Sequence, residues 1–259
     1  MTENLRETSG DGQGTTDEVA FVRRLRGEFQ RMEMEYGFAV DEILTKVSIL
    51  RREFLHLHRY NPIEHVGSRV KSPESILRKA ERLGIEPTPD RIREHMHDVA
   101  GVRITCSFIA DTYRVLEALT SQTDVRTLKV KDYIAQPKPN GYKSLHAIIE
   151  IPVFLSTGPV PIPLEIQVRT IAMDFWASLE HKIYYKYDGK VPSELVESLT
   201  ESAHLAEMLD MRMEELHSEV SGMEGGRLDD GMRDMDERLF ARLWNVYRSA
   251  RPSGDGPIA

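Results

Sequence analysis

The hydrophobic positions of this 259-residue chain change period several times, and each change marks an element. From residue 17 to 60 apolar side chains recur at steps of three and four, which predicts a long helix with Gly37 as a break. Pro62 in "NPIEH" (61–65) stops that helix, because proline disfavours helical geometry in the residue before it. "SPESILRKAERLGI" (72–85) predicts a second helix, with Ser72 able to cap it, Pro73 suited to its first position and Gly84 to its end. A shorter helix begins in the same way at Thr88 and Pro89. "VAGVRITCSFI" (99–109) is β-branched and nearly free of charge, the composition of a buried strand. "ADTYRVLEALTSQ" (110–122) then returns to helical spacing.

Three further strands follow. "DVRTLKVKDYI" (124–134) alternates, and "HAIIEIPVFL" (146–155) and "VPIPLEIQVRT" (160–170) are joined by "STGP", a hairpin-like link. "AMDFWASLEHKIYYKY" (172–187) is helical. From Ser193 the apolar series Leu195, Leu199, Ala203, Ala206, Leu209, Met213, Leu216 and Val220 approaches a heptad, as in a helix packed along another helix. "SGMEGG" (221–226) interrupts it, and "LFARLWNVY" (239–247) forms a last apolar turn. The expectation is an α/β (α+β) chain with a mixed sheet of about five strands, flanking helices and long helices at both ends. Residues 1–16 read as a disordered leader, 17–190 as the main domain, 191–250 as a helical extension and 251–259 as a flexible tail.

Composition narrows the function. With 40% hydrophobic and 29% charged residues, the chain can bury a core. No apolar run approaches the roughly 20 residues of a membrane helix, and the N-terminus lacks a signal-peptide pattern. One cysteine, Cys106, excludes an intramolecular disulfide and sits in an apolar run that favours an inert thiol. The expected setting is cytoplasmic. The net charge of −8 argues against a long polyanion as main ligand, whereas the basic segments 69–82 and 126–133 suit a small phosphorylated one.

Three polar groupings could do chemistry. Lys71, Ser75 and Lys79 are spaced four apart and Arg69 reaches the same side, which makes either a phosphate cradle at a helix start or a solvated basic face. Asp98 stands at the entry to a strand containing Arg103, so the two are a structural pair or Asp98 is a Mg²⁺ ligand. In "LEIQVRT" (164–170), Glu165, Gln167 and Arg169 alternate with apolar residues. If that strand is covered on both faces, Glu165 becomes a metal ligand or general base working with Asp98. Glu180 and His181 close a helix turn and read equally well as a polar helix end. A histidine–aspartate hydrolase needs more ligands than His95, His97 and Asp98. Zinc spacings, a P-loop and a dinucleotide fingerprint are missing.

"RVKSPESILRK", "DVAGVRI", "DYIAQPKPNGYKSLH" and "EIQVRTIAMDFWASLEHKIYYK" occur in this order. Over roughly residues 40–190 the chain thereby resembles the RelA/SpoT-type alarmone synthetase domain, in particular its small stand-alone members. The resemblance implies a nucleotidyltransferase-like fold. It also implies transfer of the β,γ-pyrophosphate of ATP to the 3′-hydroxyl of GTP or GDP, with Mg²⁺ as cofactor and without hydrolase activity. On that likeness Arg69, Lys71, Ser75, Lys79 and Arg103 serve ATP, and Asp98 and Glu165 share the metal, Glu165 also activating the hydroxyl. Lys138, Asn140, Tyr142 and His146 form the acceptor loop, with Tyr142 stacking on guanine and Lys138 and Lys143 opposing the phosphates. Gln167 and Arg169 lie in the matching strand. Small members are often homotetramers, and some bind an alarmone effector in a central cleft. The alternative is a catalytically weak regulator that binds nucleotide or single-stranded RNA on the same fold.

Overall fold

Buried Phe29, Met32, Tyr36, Ala39, Val40, Ile43, Val47, Leu50 and Phe54 fall on one face of a single helix, α1 (Asp11–His58). The computed structural model describes residues 11–58, 60–187 and 191–224. Gly37 does not break α1, which also begins at Asp11 rather than at residue 17. A glycine inside a helix costs about 0.5–1 kcal/mol, less than burial of its neighbours Tyr36, Ala39 and Val40 returns at about 1.5–3 kcal/mol per large apolar side chain. The leader up to residue 10, the apolar turn 239–247 and the tail 251–259 lie outside the described residues.

Five strands form one mixed sheet in the order β1-β2-β5-β4-β3. They are β1 (Ile63–Val70), β2 (Ala100–Cys106), β3 (Arg126–Asp132), β4 (Leu145–Leu155) and β5 (Gly158–Thr170). β2 and β5 run parallel, and the other pairs are antiparallel. Sequence periodicity shows four of them and misses β1. Its "HVGSRV" core holds glycine and polar residues because it is an edge strand whose side chains mostly stay exposed.

Alternation divides the sheet. Val102, Ile104, Leu145, Ala147, Ile149, Leu164, Ile166 and Val168 are buried in the core that also takes in the apolar face of α1. α4 (Ile109–Thr120) adds Val115, Leu116 and Leu119 to the same core. The opposite face carries Gly67 and Arg69 of β1, Gly101 and Arg103 of β2, Glu165 and Gln167 of β5, and His146 of β4, all brought level by strand register. Cys106 is buried and free, and burial pushes its thiol pKa up.

Between β1 and β2 lie α2 (Pro73–Leu83) and α3 (Pro89–His95). Ser72 caps α2 by accepting from the Ser75 N–H, Pro73 starts it, and Gly84 ends it at φ 66°. After β5, α5 (Ile171–Lys186) starts at once, capped by Thr170, whose hydroxyl accepts from the Met173 N–H. The chain divides into two compact units, Met1–Asp210 and Met211–Ala259. α6 (Ser193–Glu224) lies in the first as far as Asp210 and continues through the expected interruption at Ser221–Glu224. The near-heptad series is buried only where Leu199, Ala203 and Ala206 meet Trp176 and Ala177, while Leu209 and Met213 are exposed.

Candidate active site

Asp98 sits between α3 and β2, and two of the expected cations converge on it. The Lys71 and Lys79 ammonium groups each donate to Asp98 Oδ2 at 2.5 Å. The Lys71 N–H also bonds the Val99 carbonyl at 2.8 Å, which ties the segment before α2 to the entry of β2. Behind this junction the buried Glu35 of α1 pairs with Arg31 at 2.9 Å and with Arg93 of α3. Burial alone would raise the Asp98 pKa, but the hydrogen bonds and charges of Lys71 and Lys79 hold it below the usual carboxylate value. Burial lowers the Lys71 pKa, against the pull of Asp98.

The structural Asp98–Arg103 pair is not found. Arg103 pairs instead with Asp174 of α5 at 3.2 Å, because its strand position points it along the open face towards α5. Arg69, exposed on β1, lines a cleft of about 240 Å³ with Gly67, Gly101, Arg103, Glu165, Gln167 and Asp174. Ser75, in the first turn of α2, is exposed and within 3.1 Å of Ser72 Oγ. Lys71 and Lys79 turn inward to a carboxylate and together with Ser75 also line an open pocket of about 570 Å³, while Arg69 faces the cleft.

Glu165 is held from both sides. His146 Nδ1 lies 2.9 Å from its Oε1, and the Gln167 amide donates to its Oε2 at 2.8 Å. Burial raises the Glu165 pKa, but His146 and Gln167 outweigh it and the group titrates below its ordinary value. The proximity of Asp98 opposes this lowering, as one carboxylate does to another. Asp98 Oδ1 is itself buried without a hydrogen-bond partner among the described residues. Two carboxylates within electrostatic reach, one with an orphaned oxygen, suit a hard cation that prefers oxygen ligands and keeps some waters. Among the described residues, no group of three or more His, Cys, Asp or Glu side chains converges as a metal site.

The acceptor-loop residues also come together, with one exception. The Tyr142 hydroxyl lies 2.7 Å from His146 Nε2 and accepts from Arg169 at 2.6 Å. Lys138 Nζ sits 4.5 Å and Arg169 Cζ 5.1 Å from the Tyr142 ring centre. Asn140 binds its own loop through the Tyr142 N–H at 3.2 Å and reaches Glu180 at 3.1 Å. Buried Arg169 additionally donates to Gln167 at 2.7 Å and to Asp174 at 3.2 Å. Burial raises the Tyr142 pKa and Arg169 opposes it, so the phenol stays protonated. Lys143 does not join Lys138 but forms an ion pair with Glu207 of α6.

Residues 68–190 match the family described as the region found in RelA / SpoT proteins. GTP pyrophosphokinase YwaC of Bacillus subtilis (strain 168) is 55% identical over 185 residues, covering 71% of this chain and 88% of that protein. The chain belongs to the RelA/SpoT family. YjbM, also named a GTP pyrophosphokinase from B. subtilis, is 37% identical over 193 residues, 74% of this chain and 90% of its own. Among solved structures of the family, small alarmone synthetase 2 from B. subtilis matches with a TM-score of 0.68 at 50% identity, covering 74% of this chain and 99% of that one. Small alarmone synthetase 1, bound to its product pppGpp, matches with 0.68 at 36% identity, covering 74% and 97%.

Sequence reasoning missed three contributors. Asp174, in the first turn of α5, receives both Arg103 and Arg169. The available signal was an acidic residue opening a helix directly after an arginine-bearing strand. Tyr133 meets the Tyr142 and His146 rings edge-on at 6.0 and 5.2 Å. Lys131 pairs in register with His146, placing a cation beside the site where Lys143 was expected to supply one.

Proposed function

We propose that this chain is a GTP/GDP pyrophosphokinase: it moves the β,γ-pyrophosphate of ATP to the 3′-hydroxyl of GTP or GDP, giving pppGpp or ppGpp and AMP. The observation that supports this most is Glu165, half-buried at the cleft and oriented by His146 and Gln167. Such a carboxylate is ionised at neutral pH and fixed in direction, as a general base requires. It takes the proton of the attacking 3′-hydroxyl, the new bond forms to the β-phosphorus, and the bond to the α-phosphate oxygen breaks to release AMP.

Arg69, Lys71, Ser75, Lys79 and Arg103 are assigned to ATP. Arg69 and Arg103 face the cleft, while Lys71 and Lys79 would meet phosphate oxygens by exchanging one anionic partner for another. Tyr142, flanked by Lys138, Asn140 and His146, is assigned to the guanine nucleotide, with Lys138 opposing its phosphates. Mg²⁺ would be held by Asp98 and Glu165, and when bound it neutralises phosphate charge and stabilises charge on the transferring group. The remaining contribution of the protein is positioning, which dominates pyrophosphate-type transfer.

The chain is further proposed to act as a homotetramer. Ile171, Phe175 and Leu179 of α5 and Leu205, Met208 and Leu209 of α6 are exposed apolar residues that self-association would cover. A cytoplasmic setting is proposed with it; among the described residues no helix is long and apolar enough to cross a membrane. An alarmone effector and single-stranded RNA are proposed as regulators to be added in the same assay. Purified protein incubated with Mg²⁺, labelled ATP and GTP or GDP should yield labelled pppGpp or ppGpp on chromatography. No such product, with or without added alarmone, would leave the catalytically weak regulator as the better reading.

A further inference from the structure

We propose that the first half of α6 positions the acceptor loop, with Glu207 as the positioning residue; the inference rests on the assignment of Tyr142 to the guanine nucleotide. The two residues that flank Tyr142 both touch α6. On one side, Gly141 takes φ +84° and passes so close that an added Cβ would lie 2.4 Å from the Ala203 Cβ. On the other, Lys143 is ion-paired to Glu207, its side chain only 13% exposed. Tyr142 itself packs on the cluster of Trp176, Ala177 and Ala203.

α6 is anchored independently of the loop. The Thr170 hydroxyl donates to Asp210 at 2.6 Å, and the Trp176 indole donates to the Leu199 carbonyl at 2.9 Å. The helix is therefore fixed to the end of β5 and to α5, and it contacts the loop at Gly141, Tyr142 and Lys143. Because Tyr142 bonds His146, which bonds Glu165, a loop released from α6 would loosen both the purine contact and the orientation of the base.

The test compares wild type, Glu207→Gln, Lys143→Met and the reversed pair Lys143→Glu with Glu207→Lys, each checked for folding by thermal melting. Glu207→Gln should raise KM for GTP about two- to fivefold, as loss of a partly exposed ion pair allows, with KM for ATP nearly unchanged. Hydrogen exchange across residues 137–144 should speed up while exchange in β4 does not, and the reversed pair should recover both readouts. Equal rises in both KM values would overturn the inference, and so would unchanged loop exchange in Glu207→Gln. Lys143→Met far outweighing Glu207→Gln, with no recovery in the reversed pair, would place Lys143 on the nucleotide and overturn it as well. If wild type makes no product, the functional assignment fails, and the exchange measurement still decides whether α6 orders the loop.

Discussion

His146 stands 2.9 Å from Glu165 through one ring nitrogen and 2.7 Å from the Tyr142 hydroxyl through the other, so a single imidazole links the base to the acceptor loop. The two strands supply this without a long reach. His146 of β4 pairs with Gln167 of β5, two residues from Glu165 and on the same face. Glu165→Gln keeps the shape and one accepting oxygen but turns the other into an amide donor and removes the proton acceptor. It should lower kcat by about 10²–10⁴-fold and leave ATP binding, measured by calorimetry, close to wild type. Retained turnover would mean that another group takes the proton.

Asp98 carries two ammonium groups on one oxygen and none on the other. Asp98→Asn should therefore weaken Mg²⁺ about tenfold or more, seen as a rise in the half-saturating Mg²⁺ concentration for activity. Direct Mn²⁺ binding, followed by electron paramagnetic resonance, should weaken in parallel. Chelation of the metal should stop product formation reversibly. An unchanged Mn²⁺ affinity in Asp98→Asn would remove this residue from the metal site.

The Tyr142 ring and its hydroxyl do separable things. Tyr142→Ala should raise KM for the guanine nucleotide more than for ATP, since base stacking is worth about 1–3 kcal/mol. Tyr142→Phe keeps the ring but leaves Arg169 and His146 without that partner. It should reduce kcat with little change in KM. Matching effects of the two substitutions would show that ring and hydroxyl act as one.

Gly37 lies mid-helix with nothing within 4 Å of where a Cβ would project. Gly37→Ala should stabilise the fold by about 0.5–1 kcal/mol, measured as a higher midpoint in urea with an unchanged slope. A fall in the midpoint would mean that α1 needs its flexibility there.

The Lys143–Glu207 pair gives a pH signature. The hydrogen bond from Lys143 holds the Glu207 pKa below its ordinary value of 4.5. A carboxyl depressed by folding adds stability above its unfolded pKa and loses it as pH falls through the lower folded value. Wild type should thus be more stable than Glu207→Gln at pH 7, and the gap should close below about pH 4.5. Thermal melts at the two ends of that range check it. A gap of the same size at pH 3 would show that the pair contributes nothing through charge.

How much of this was legible beforehand depended on whether the signal was local. The caps at Ser72 and Gly84, the alternation of "LEIQVRT" and the helical spacing of α1 and α5 all follow from neighbours within a few residues, and the structure repeats them. β1 escaped because Ile63 alone of its eight residues is buried, which leaves no hydrophobic alternation to read. Gly37 reads as a break because local propensity penalises glycine, whereas core burial on either side carries the helix through.

The sequence by itself determined most of the elements, most polar residues of the open face and the family, since periodicity, caps and long motifs are written along one dimension. Only the tertiary structure decided the partners of each charge. It gave Asp98 to Lys71 and Lys79, Arg103 to Asp174, and Lys143 to Glu207, separated along the chain by as many as 71 residues. A charge is satisfied by whichever opposite charge the fold brings within a few ångströms, and sheet register and helix docking set that distance while sequence spacing does not.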